Sequence, residues 1–184
     1  GEYTVRLTVD GKISTAKLTV KMDPRVKIST TALETKFHSE TKLAAMVNDT
    51  SEAVIQAGSI RDQLQKVVEQ AQAGSNQAIL GFQKKLDALL GSSGPTANQV
   101  TLGRINLQAI TLYGQVSQVD AQPTAAQLSA IAATGKASAE VIHGWTEFKR
   151  DDMPALNREL HTLKVKEIQL PTNLEQDESQ LDEE

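Results

Sequence analysis

Residues 29–74, STTALETKFHSETKLAAMVNDTSEAVIQAGSIRDQLQKVVEQAQAG, decide the fold. Leu33, Phe37, Ala44, Val47, Val54, Gly58, Leu64, Val68 and Ala71 recur mostly at helical spacing, as on an amphipathic helix. Ser29 and Thr30 are candidate N-caps, and Ala73-Gly74-Ser75 is the stop. A helix over 31–73 would run ~65 Å at 1.5 Å per residue, too long for a lone globular element. It must therefore lie along partners.

Those partners follow in the chain. A second helix over 76–90 carries Ile79, Phe82, Leu86, Leu89 and Leu90, and ends in Gly91-Ser92-Ser93-Gly94-Pro95. A third over 98–119 sets Leu102, Ile105, Ala109, Leu112, Val116 and Val119 on one face. Thr124 and Gln127 form a capping-box pattern that opens a fourth, bearing Leu128, Ile131, Gly135, Ile142, Trp145 and Phe148. Asp151-Asp152-Met153-Pro154 should kink or restart it, with Leu156, Leu160 and Leu163 continuing the stripe. Gly58, Ala71, Ala109, Gly135 and Ala139 would admit close helix approach. The fold predicted is mainly α: an antiparallel four-helix up-down bundle over 30–164, with part of the long first helix overhanging. An extended piece (Val165, Ile168, Leu170) then reaches Pro171 and a disordered acidic tail, together 165–184.

The first 25 residues obey another period. Tyr3, Val5, Leu7 and Val9 alternate with polar residues, and Ala16, Leu18, Val20 and Met22 do the same after Asp10-Gly11. That is a β-hairpin, closed by Asp23-Pro24. Ile13 is out of phase, which predicts a bulge or longer loop near the turn. A two-stranded ribbon is marginal alone. The hairpin over 1–25 therefore reads as the end of a truncated β-domain, expected to lie on the helices or to pair with a second copy. A chain opening in mid-strand also reads as an excised piece, so its lack of a signal peptide says nothing about its parent.

Composition narrows the function. Aromatic residues make up 3% of the chain, so the core must be aliphatic and alanine-rich. Cysteine is absent, which excludes disulfides, thiolate catalysis and thiolate metal sites. Six carboxylates (Glu175, Asp177, Glu178, Asp182, Glu183, Glu184) account for the net charge of -4; without them the body is slightly basic. Without a basic stripe interleaved with aromatics, nucleic acid is not an expected partner, and no apolar run is long enough to span a membrane.

Each constellation with chemical potential has a plain structural reading. Glu140-x-x-His143, with Glu147 one turn on, has the spacing of a di-metal carboxylate helix, but the other helices lack the matching Glu and Glu-x-x-His. The 91–95 glycine-rich loop lacks the Lys-Ser/Thr of a phosphate cradle. Asp151 and Asp152 are adjacent, and adjacent helical residues point apart. Asn48-Asp49-Thr50 matches a glycosylation acceptor but lies mid-helix, and Trp145 and Tyr113 read as core anchors. No catalytic, cofactor-binding or metal residue is assigned, and no cofactor is expected.

Three stretches carry a resemblance: YTVRLTVDGK with LTVKMDPRV (3–12, 18–26), ITLYGQVSQVDAQPTAAQ (110–127) and RDDMPALNRELHTL (150–163). Together they resemble the C-terminal region of large bacterial BNR-repeat (Asp-box) proteins, described as glycosyl hydrolases, which contain sortilin-like propellers. The resemblance implies an upstream propeller, then an Ig-like β-domain ending in the hairpin, then this helical segment, in a protein exported to the periplasm or beyond. It also implies that the chain's partners are that propeller and β-domain; apart from the resemblance, the hairpin and the long first helix are the candidate homo-oligomer surfaces. No Asp-box (Ser-x-Asp-x-Gly-x-Thr-Trp) occurs here, so no catalytic residue carries over. The function implied is that of a non-catalytic structural or interaction module. The alternatives are part of a glycan-hydrolysing enzyme whose site lies upstream, or a helix-mediated adhesion module.

Overall fold

The computed structural model describes residues 1–70, 77–91 and 99–171. Two strands, β1 (Glu2–Val9) and β2 (Lys12–Thr19), precede the helices α1 (Thr30–Gln70), α2 (Gln77–Leu90), α3 (Leu102–Ser117) and α4 (Ala125–Glu147). A π-helical turn, Phe148–Asp152, joins α4 to α5 (Met153–Thr162), so α4 and α5 form one interrupted rod. The molecule is a helical bundle preceded by a two-stranded antiparallel hairpin.

Cross-helix contacts set the directions. Lys36 meets Asp120 and Asn106 meets Thr50, so α3 runs antiparallel to α1. Gly135 lies against Met46, and Trp145 bonds Gln56, so α4 runs parallel to α1. Lys85 meets Asp152 and Leu89 meets Gly144, so α2 opposes the α4–α5 rod. The two long rods thus share one direction, and α2 and α3 follow each other in the opposite one. A Cβ on Gly103 would sit 3.0 Å from the Leu90 carbonyl, so the end of α2 abuts the start of α3. At 1.5 Å per residue these two short helices span about 45 Å along α1's ~62 Å. This end-to-end placement, rather than a long overhang, covers the long first helix.

The buried seam of α1 is Ala32, Lys36, Ser39, Leu43, Met46, Thr50, Ala53, Ala57, Ile60, Leu64 and Val67, alternating steps of four and three without a break. That is a coiled-coil phase, displaced by about one position from the predicted stripe: Phe37 is 70% exposed, and Ala44 is also exposed. The reading from sequence followed the largest apolar residues. The structure instead buries polar Lys36, Ser39 and Thr50, and Gln56 beside the seam, because each finds a partner. In α4 the seam is Ile131, Thr134, Ser138, Val141 and Trp145, so Leu128 lies at the rim and Ala139 is exposed. Gly135 admits close approach as expected, whereas nothing lies within 4 Å of a Cβ on Gly58 or Gly81. The α3 face is as predicted from Leu102 to Val116, but the helix ends at Ser117 and Val119 is exposed. Thr101 is its N-cap, so the predicted start at 98 is too early. The predicted stop at 73–75 and the acidic tail lie outside the described residues.

Local rules account for the ends. Ser29 caps α1 by accepting from the Ala32 amide, 3.2 Å away. Thr124 and Gln127 close the predicted capping box. Gly91 ends α2 at φ +90, and a Cβ there would come within 2.6 Å of Thr101 Oγ1, so both strain and space require glycine. The expected break near Pro154 is the π turn, where the Met153 amide bonds the Phe148 carbonyl five residues back. The extra residue rephases the rod. Met153, Leu156 and Leu160 face the core, whereas a plain α-helix continuing from Phe148 would have turned Asp152 and Glu159 inward. Leu163 keeps this spacing but is the C-cap, one residue past the end of α5, and is 40% exposed.

The hairpin departs from expectation twice. Its register pairs Val9 with Lys12 and Thr8 with Ile13 without a bulge, because Asp10 (φ 47) and Gly11 (φ 76) form a two-residue turn with both φ values positive. Ile13 therefore points to the polar face. Tyr3, Val5, Leu7, Val9, Ala16 and Leu18 share the other face, and all are exposed. The hairpin does not lie on the helices: residues 1–22 are exposed throughout.

Candidate functional site

The positions singled out for chemistry are dispersed by the structure. His143 and Glu140 lie on the exposed side of α4, where His143 Nε2 sits 3.5 Å from Glu147 Oε1 as an i,i+4 surface pair. Among the described residues no three His, Asp or Glu side chains are grouped to hold a metal. Asp151 and Asp152 turn to different partners, Asp151 to Arg150 and Asp152 to Lys85 on α2. The Arg150 hydrogen bond holds the Asp151 carboxyl below the ordinary carboxylate range against slight desolvation. Thr50 of the glycosylation-like triplet is fully buried; its hydroxyl donates to the Met46 carbonyl (2.6 Å) and accepts from Asn106 Nδ2 (3.0 Å). Tyr113 is at the surface and is no core anchor. Gly91 is a helix cap, and 92–95 lie outside the described residues.

Trp145 is the core anchor expected: it is 2% exposed and stacks on Phe148 at 5.7 Å between ring centroids. Its indole also joins a polar network centred on Gln56 that ties α1 to α4 and the π turn. Gln56 Oε1 accepts from Trp145 Nε1 and from Lys149 Nζ, each at 3.4 Å, and Gln56 Nε2 donates to Glu52 Oε1 at 2.8 Å. The Lys149 ammonium lies 5.5 Å from the indole centroid, a cation–π distance. A shallow recess of about 140 Å³, lined also by Asp49 and Thr146, opens beside it. Gln56 spends its groups on holding the two rods in register, so this arrangement locks packing and presents no converging acid and base.

A second polar feature was not legible in the sequence. Residues 165–171 form a strap across α1 and α5. Asn157 brackets the Ile168 backbone, its Oδ1 accepting from the amide (2.9 Å) and its Nδ2 donating to the carbonyl (3.0 Å). Gln63 brackets Gln169 in the same way, at 3.1 and 2.8 Å. Two carboxamides thus imitate a neighbouring β-strand on either side of Ile168, whose side chain is 2% exposed among the core residues. The only hint in the sequence is the isolated Ile168 itself; Gln63 and Asn157 look like ordinary surface amides.

The hydroxyl of Thr134, itself 1% exposed, has no hydrogen-bond partner among the described residues. Other helical hydroxyls, such as those of Thr50, Thr111 and Thr146, turn back to the carbonyl four residues earlier. No helix among the described residues is long and apolar enough to cross a membrane. Compared with known proteins, the chain matches no family model, no curated protein and no solved structure.

Proposed function

We propose that this chain is a non-catalytic structural module of an exported BNR-repeat protein, its hairpin belonging to an Ig-like β-domain and its bundle acting as spacer or docking body. The observation that carries the reading is a contrast in closure. The helices bury their seams against one another, whereas the hairpin turns a face of Tyr3, Val5, Leu7, Val9, Ala16 and Leu18 to solvent. An amphipathic ribbon with an uncovered apolar face is what two strands of a larger sheet look like without their neighbours. The ribbon measures about 27 Å by 10 Å at the usual strand spacings, far below the ~800 Å² per partner of a standard interface. That size favours completion within a β-domain over a dimer held by the hairpin alone.

The test is deletion of 30–164 from the full-length parent. Glycan turnover is expected to survive while assembly or spacing changes. Loss of turnover in a deletion variant that stays folded and assembled overturns the reading, as does glycan hydrolysis by the isolated chain.

An adhesion reading is favoured by a separate observation. Residues 105–119 carry no charge, and Leu107, Ile110 and Tyr113 of α3 are exposed, as is Phe37 on α1. An apolar helical face of this kind suits a partner helix. Sedimentation as a monomer at high concentration counts against it.

A further inference from the structure

The strap is bound as a ligand is bound. It leaves α5 through a Schellman turn: the Lys164 amide donates to the His161 carbonyl (3.0 Å) and the Val165 amide to the Leu160 carbonyl (2.9 Å). Lys164 occupies the left-handed position at φ 58, where a residue with a Cβ is strained and glycine is usual. Beyond this hinge the strap is held by Ile168, by half-buried Val165 packed on the same core, and by four hydrogen bonds to its backbone. Backbone-directed bonds recognise an extended conformation rather than a sequence. Recesses remain on both flanks, one lined by Lys66 and Lys166 and the other by Arg158 and His161, so the slot is open along its length.

We propose that the cleft between α1 and α5 is a strand-accepting slot, and that the straps of two copies exchange through it, Ile168 of each filling the slot of the other. Every contact of the strap is reproduced in the exchanged form, so only the hinge differs. Straightening it breaks two Schellman bonds and releases the strain at Lys164, so the hinge terms oppose each other and high concentration favours the exchanged form.

The absence of native cysteine makes exchange directly readable. Full chains carrying Lys66→Cys and, separately, Lys166→Cys are mixed at high concentration, equilibrated and cross-linked with a short bis-maleimide. Exchange places position 166 of one chain beside position 66 of the other, as the two sit within one chain. The expected result is a 66–166 link at least tenfold above the 66–66 and 166–166 links, lost when Ile168→Asp is added to the Lys166→Cys chain. A statistical mixture of the three links overturns the proposal, and so does a 66–166 preference that survives Ile168→Asp. Dimers formed through the hairpin would leave the link ratio statistical, so this outcome is separate from the module reading. Adding Lys164→Gly should lower the 66–166 link several-fold; an unchanged yield removes the hinge from the argument and overturns its role.

Discussion

Thr134 shows what one buried atom can cost. A hydroxyl without a partner in a buried seam destabilises by about 1–3 kcal/mol. Thr134→Val keeps the shape and removes the hydroxyl, so it should raise Tm by about 2–12 °C in a chain of this size, read by thermal melts. Asn157 is the opposite case. Asn157→Ala strips two hydrogen bonds from the Ile168 backbone and should cost about 2 kcal/mol, read by denaturant titration and by faster amide exchange at Ile168. Neither residue differs in its local sequence from exposed counterparts elsewhere in the chain. Their roles come from what faces them, which is why sequence reading passed over both.

At the scale of elements, α1 is tied to the segment following α3 by Lys36, whose ammonium lies 3.2 Å from Asp120 and 3.4 Å from Glu40. Burial by itself lowers its pKa, but the hydrogen bonds and charges of Asp120 and Glu40 together outweigh this and raise it above 10.5. A group whose folded pKa is raised contributes stability that is complete below its unfolded pKa and lost as pH climbs through the folded value. Melts of the wild type and Lys36→Met should therefore differ most below about pH 10 and converge at higher pH. A gap that widens with alkalinity would contradict this assignment. The hairpin turn gives a local counterpart. Gly11→Ala introduces strain at φ 76 without any steric clash, and should speed amide exchange across β1 and β2 while leaving the bundle's melt unchanged. The Asp-Gly turn and the Thr124 capping box were legible in the sequence because both are built within four residues. The one-residue displacement of the α1 seam was not, because Thr50 is acceptable inside only where Asn106 reaches it from α3.

Across the whole molecule, two independent parts share one chain. The bundle holds its own core, in two clusters spaced along the rods, and the hairpin contributes to neither. Removing residues 1–25 should leave the bundle's Tm within about 2 °C of the intact chain; a larger fall would reveal contacts that bind hairpin to helices. What the sequence by itself determined is the inventory: a hairpin, four helical stretches, the N-caps at Ser29 and Thr124 and a break before Pro154, all encoded in periodicities and capping residues a few positions apart. The tertiary structure decided which face of each helix is buried, that α2 and α3 lie end to end beside α1, and that a π turn rotates Leu156 and Leu160 inward. It also decided that residues 165–171 dock instead of trailing away. The reason is range: propensity and capping act over a turn or two of chain, whereas a polar side chain such as Thr50, Gln56 or Asn157 is buried or exposed according to partners fifty to a hundred residues distant or, for Asn157, across a reversal of the chain.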